Sequence, residues 1–242
     1  MVSNPFLRAP VDEQRGGVVE CRACPRLVAW REGQASRVPP RHAAWVAARS
    51  FWARPVPAFG DASAWLAIVG LAPAAQGANR TGRMFTGDRS GEFLYAALHR
   101  AGMASAPRSE YRGDGLTLNG VLITAALRCA PPANRPATRE LSRCRRYLRA
   151  DLASCGGLRV VLALGGIAHD AVVRLLRDGG ATVGSKPRFA HGATHPLPSG
   201  GWVVDSYHVS QQNTFTRRLT VDMFDGILQL CRRLAGQEEG RT

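Results

Sequence analysis

Trp65-Leu-Ala-Ile-Val69 runs directly into Gly70-Leu-Ala-Pro-Ala-Ala-Gln-Gly-Ala-Asn-Arg-Thr-Gly-Arg-Met-Phe-Thr-Gly-Asp88, and after Arg89 comes Ser90-Gly-Glu-Phe-Leu-Tyr-Ala-Ala-Leu-His99. The first segment is an unbroken apolar run, which reads as a buried parallel strand. The last repeats its apolar residues at helical spacing and predicts a helix over about 90–102. The loop between them carries four glycines, one proline, two arginines, an asparagine, a phenylalanine and an aspartate. Ligands of open α/β sheets bind outside the carboxyl ends of strands, and this loop leaves one such end. Its glycines let backbone approach a ligand closely, Phe85 offers an aromatic face and Asp88 a carboxylate.

The same alternation continues downstream. Leu116–Ala126 reads as a second strand region with a turn at Asn119-Gly120, and Arg128-Cys-Ala-Pro-Pro-Ala-Asn-Arg-Pro136 is again a loop at a strand's carboxyl end. Thr138 is the expected N-cap of a helix to about residue 153. Val160–Leu164 is a third strand, Gly165-Gly166 opens a helix to about Arg177, Val203-Val204 centre a fourth strand ending at Tyr207-His208, and a last helix spans about Leu219–Ala235. Upstream, Pro25 starts a helix after Cys24, prolines keep Phe51–Pro57 extended, and residues 1 to about 20 carry no pattern and read as a loose arm. Strands alternating with helices predict α/β architecture: three layers, α/β/α, around a central, mainly parallel four-stranded sheet, with 1–242 as a single domain.

Of the 242 residues, 45% are hydrophobic, enough for a sizeable core. No apolar stretch approaches the roughly 20 residues of a membrane span. The amino terminus lacks a signal peptide's apolar segment, so a cytoplasmic protein is expected. The net charge of +14 favours a polyanionic partner, nucleic acid before an anionic membrane, although arginine supplies nearly all of it and Lys186 is the only lysine.

Cys21 and Cys24 form C-x2-C; Cys129 and Cys144 follow far along, fourteen residues between them. In an intracellular chain such cysteines indicate metal ligation or free thiols before disulfides. Four thiolates suit zinc and a cubane iron–sulfur cluster equally well. Cys155 and Cys231 stand apart and read as small buried hydrophobes.

Gly70-Leu-Ala-Pro73, Asn79-Arg-Thr-Gly-Arg83 and Phe85-Thr-Gly-Asp88 resemble the first motif of the family 5 uracil-DNA glycosylases, and Tyr207-His-Val-Ser-Gln-Gln-Asn-Thr214 with Arg218-Leu-Thr220 resembles their last. The resemblance covers most of residues 21–235 and implies the uracil-DNA glycosylase-like fold. It implies a monomeric base-excision repair enzyme of the nucleoid whose partner is DNA containing deaminated or damaged bases: uracil, and also hypoxanthine and other modified bases. It implies a structural 4Fe-4S cluster on Cys21, Cys24, Cys129 and Cys144, and no catalytic metal. By the same resemblance Leu71, Ala72, Pro73, Phe85 and Ala125 line the base pocket, and His208 stabilises the departing base anion. Asp88 holds water or stabilises the sugar cation, with Asn134 assisting. Ser210, Gln211, Gln212, Asn213, Arg217 and Arg218 face DNA.

Two departures stand out. Glycine is expected where Arg217 stands. Ala125 replaces an asparagine that reads the uracil edge in uracil-selective relatives, which predicts relaxed selectivity. Three rivals are a non-catalytic nucleic-acid-binding protein with a structural metal, an iron–sulfur redox protein, and a nuclease using Asp88, Asp205 and magnesium. The redox reading lacks a G-x-G-x-x-G after a strand, and Asp205 reads as a structural strand-end residue.

Overall fold

The central strands are short runs dominated by Val, Ile, Leu and Ala with helices on either side, which is why they are buried on both faces. The computed structural model describes residues 17–180, 187–197 and 200–237. The strands are β1 (Phe59–Gly60), β2 (Leu66–Gly70), β3 (Val121–Ala125), β4 (Val160–Leu164), β5 (Thr194–Pro196) and β6 (Trp202–Ser206). The helices are α1 (Pro25–Gly33), α2 (Pro40–Arg49), α3 (Ala78–Thr81), α4 (Arg89–Arg100), α5 (Thr138–Ala153), α6 (Gly166–Asp178), α7 (Gln211–Phe215) and α8 (Val221–Leu234).

The sheet order is β1-β3-β2-β4-β6-β5. The four inner strands pair in parallel, so their carboxyl ends and the loops leaving them share one edge. The expected four-stranded sheet is therefore the centre of a six-stranded one: β1 and β5 add antiparallel edges against β3 and β6. Alternation along the strands divides the core in two. Leu66, Ile68, Ile123, Leu162 and Val204 pack with Leu94, Leu98, Phe224 and Leu228 of α4 and α8. Ala67, Val69, Val161 and Val203 pack with Leu148, Leu152, Val172 and Leu176 of α5 and α6 on the opposite face. Cys155 and Cys231 are fully buried in these two clusters, as small hydrophobes.

Element ends follow local chemistry. The N-cap of α5 is Ala137, one residue before the expected Thr138, because the Glu140 carboxylate reaches back and accepts the Ala137 N–H at 2.7 Å. Thr220 caps α8 by accepting the Met223 N–H at 3.2 Å. Residues 1–16 of the expected amino-terminal arm lie outside the described residues, and its remainder is not loose: Val18 is buried beside the cysteines. Among the described residues no helix is long and apolar enough to cross a membrane.

Candidate active site and cysteine centre

The loop from Gly70 to Asp88 is folded by its own polar residues. Arg80 donates to the carbonyls of Gln76 and Gly87, and Thr81 to that of Thr86. Arg83 pairs with Asp114 at 2.6 Å, both largely buried, and Tyr95 donates to the Met84 carbonyl at 2.9 Å. Asn79 donates to the carbonyl of Arg31 in α1. This frame holds Phe85 at φ 51°, an uncommon conformation for a bulky residue and one that concentrates at functional sites. The Phe85 ring lies on Gly70 so closely that a Cβ there would sit 2.7 Å from Cζ. Gly70 pairs in register with the buried Ala125. Across the opening, His208 leaves β6 with its ring centroid 6.1 Å from that of Phe85 at 32°. Burial pushes the His208 imidazole down to about 4, so it is neutral at physiological pH and presents one N–H donor.

The other expected site residues lie on the segments that follow the inner strands in the chain. Asp88 is the N-cap of α4: one oxygen accepts the Gly91 N–H at 3.0 Å, and the other presses on Gly77, where a Cβ would meet it at 2.1 Å. Burial raises its carboxyl above the usual range against the pull of the Gly91 and Ser90 N–H groups. Leu71 and Pro73 continue from Gly70, but Ala72 packs against the cysteine cluster instead, because alternate residues of extended chain point to opposite sides. Asn134 is exposed on the loop after β3, at φ 55°, and among the described residues no hydrogen bond joins it to Phe85 or His208. Ser210 is the N-cap residue of α7, and Asn213 donates to the His208 carbonyl at 2.7 Å, bracing the loop. Gln211, Gln212, Arg217 and Arg218 are exposed, with the Arg218 guanidinium 4.5 Å from the Tyr207 ring centroid. Arg217 has φ 56°, the conformation glycine would supply at this position. Sequence reading passed over Phe215, which is 66% exposed at the end of α7 with Arg89 over its ring; a lone aromatic in a polar loop was the available signal.

A family model for the uracil DNA glycosylase superfamily matches residues 57–232. A type-5 uracil-DNA glycosylase of Thermus thermophilus is 51% identical over 216 residues, 89% of this chain and 94% of that protein. Type-5 enzymes of Mycobacterium leprae and Pyrobaculum aerophilum are 49% and 43% identical, over 93% and 90% of this chain and 96% and 91% of their own lengths. The chain belongs to the type-5 uracil-DNA glycosylases.

This family member gathers its four separated cysteines into one place. Cys21 and Cys24, before and at the start of α1, line one cavity with Cys129 and Cys144 from the β3 loop and α5. Two arginines are buried there: Arg31 donates to Cys129 Sγ at 3.0 Å, and Arg128 donates its backbone N–H to Cys144 Sγ at 3.3 Å. Arg128 also pairs with Asp151, yet its Nε and Nη1, like Arg31 Nε, have no hydrogen-bond partner among the described residues. Burial lowers Arg128 to about 10 and raises Cys144 to about 12; with neutral thiols the counter-charges of the two buried cations among the described residues are Asp151 for Arg128 and the exposed Glu32, 3.7 Å away, for Arg31, so further negative charge is favourable there. A metal centre binding all four sulfurs as thiolates supplies that charge, so the residues present suit one.

Proposed function

We propose that this single-domain protein removes uracil from DNA by hydrolysing its N-glycosidic bond. It leaves an abasic site and works as a monomer at the nucleoid. The observation that carries this is the Phe85–His208 pair at the carboxyl edge of the sheet, flanked by a loop bearing exposed Arg217, Arg218 and Phe215. The target base leaves the duplex, since its bond to sugar is out of reach inside the stack. Phe85 stacks on it, with Leu71 and Pro73 beside it. As the bond between base nitrogen and sugar C1′ lengthens, its electron pair moves onto the base, and neutral His208 donates its N–H to the developing anion. Asp88 stabilises the positive sugar and orients water, assisted by Asn134. Water oxygen attacks C1′, its proton is released, and the base departs. Phe215 wedges into the space the base vacated, with Gln211, Gln212 and Asn213 beside it on the same loop. Ser210 and the two arginines hold the flanking phosphates.

The chemistry of Ala125 supports a wider base range. A methyl group buried next to Gly70 offers no hydrogen bond to a uracil edge, so hypoxanthine and other damaged bases are substrates as well. We further propose that the four cysteines hold a structural 4Fe-4S cluster. When bound, the cluster fastens the residues around α1 to the β3 loop and α5 and neutralises Arg31 and Arg128; it takes no part in base removal.

The deciding experiment offers the purified protein oligonucleotides containing a single uracil, hypoxanthine or undamaged base. Alkali-sensitive cleavage at both uracil and hypoxanthine is expected; cleavage at uracil alone overturns the wider base range, and no cleavage at any of them overturns the glycosylase reading. Iron analysis of anaerobically purified protein tests the cluster; one zinc and no iron overturns that part.

A further inference from the structure

On the sheet face away from Phe85, three side chains from three elements meet: His169 of α6, His195 of β5 and Asp205 of β6. His169 Nδ1 lies 2.9 Å from one Asp205 oxygen and His195 Nε2 lies 3.0 Å from the other. Asp205 is wholly buried, and His169 is only 2% exposed. A carboxylate so placed requires a compensating cation. The second nitrogen of His169 has its own partner. Nε2 faces the Pro187 carbonyl at 3.2 Å, an acceptor that fixes the proton on Nε2. The Nδ1 contact with a carboxylate oxygen 2.9 Å away then takes a positive centre at that nitrogen, either a second ring proton or a metal ion.

We propose that His169, His195 and Asp205 bind one zinc ion, separate from the cysteine centre. Two imidazoles and a carboxylate are a zinc donor set, and a ligating histidine characteristically donates its other ring N–H to a backbone carbonyl, the role Pro187 plays here. Zinc bonds of about 2.0–2.1 Å put tetrahedral donors about 3.3 Å apart, so small side-chain shifts admit the ion. The three donor atoms already lie within 4.8 Å of one another, and water completes the shell from the partly exposed His195 side. The ion's role follows from position. It clamps the start of α6 and edge strand β5 to β6, three residues before His208, and so steadies the strand end from which that histidine projects.

Cobalt(II) titration of the purified protein, with its cysteine centre as isolated, tests this. Wild type takes up one cobalt, showing visible ligand-field bands without the near-ultraviolet charge-transfer band of cobalt–thiolate bonds. His195→Ala, at a partly exposed position outside the proposed catalytic machinery, weakens that uptake at least about 100-fold. Zinc raises the melting temperature of wild type but not of His195→Ala, and it shifts the nitrogen-15 resonance of His169 Nδ1. No uptake beyond the cysteine centre, equal uptake by His195→Ala, a thiolate band in the cobalt spectrum, or an Nδ1 that keeps a bound proton in excess zinc each overturns the proposal.

Discussion

His208 and Asp88 both sit in the same sheet-edge region, and burial moves both toward their neutral forms, with different consequences. For His208 the folded value of about 4 lies below the ordinary histidine value near 6.5. The unfolded chain therefore binds a proton in this window that the folded chain refuses, and the contribution to stability is full above about pH 6.5 and is lost as pH falls toward 4. An NMR titration of His208 is expected to show its midpoint near 4, and uracil excision to lack an inflection at 6.5 from this residue. A midpoint at 6.5 would mean that the ring is solvated and not placed as described. His208→Ala should cost on the order of 100-fold or more in single-turnover rate with folding intact. Asp88 needs a pair of substitutions because its carboxylate caps α4 in addition to the role in excision proposed for it. Asp88→Ala removes the cap, worth about 1 kcal/mol, together with the charge. Asp88→Asn keeps a capping oxygen and removes only the charge, so it should unfold like wild type in urea yet excise uracil at least about 100-fold more slowly. A wild-type rate in Asp88→Asn would leave Asp88 as a helix cap alone.

The loop built on α7 shows how one element can keep a backbone shape while changing its residue. Arg217 stands where the family resemblance expects glycine, and the chain still turns through φ 56° there. Arg217→Gly should therefore be close to neutral for stability, relief of strain offsetting glycine's greater unfolded-state entropy. Fluorescence-anisotropy titrations of a uracil duplex should nevertheless show weaker binding and a salt dependence shallower by about one unit, the signature of one lost phosphate contact. An unchanged salt slope would place Arg217 away from the DNA. The elements differ in how openly the sequence announces them. The apolar runs of β2, β3 and β4 are unmistakable because burial on both faces leaves them almost wholly apolar, Thr124 of β3 being the one polar side chain. Phe59–Gly60 and Thr194–Pro196 carry no such pattern, being edge pairs too short and too exposed to need one, so the two antiparallel edges were invisible. Phe215 was missed for a related reason: its side chain packs into no core, so periodicity gave it no weight.

At the scale of the molecule, the cysteines are the clearest case of sequence separation hiding spatial unity. Count and spacing suggested one centre, but what favours it is the pair of buried arginines, which no spacing rule reveals. The structure sets Arg31 and Arg128 beside the sulfurs with Nε atoms unpartnered among the described residues, so the proposed metal centre and the arginines would depend on each other. Breaking one side of a buried charge pair costs about 3–5 kcal/mol, whereas replacing both sides by apolar groups is often nearly neutral. Stripping the metal with a chelator should thus lower the urea midpoint of wild type sharply and free the segment around α1 for proteolysis. Arg31→Met removes one stranded cation, so the metal-free form of that variant should lose less stability on stripping than wild type does. The difference between the two losses measures the coupling between Arg31 and the metal centre. Equal losses in the two proteins would show that Arg31 is balanced by Glu32 and its carbonyl and thiol contacts, and that the centre's charge does not bind α1 to the core.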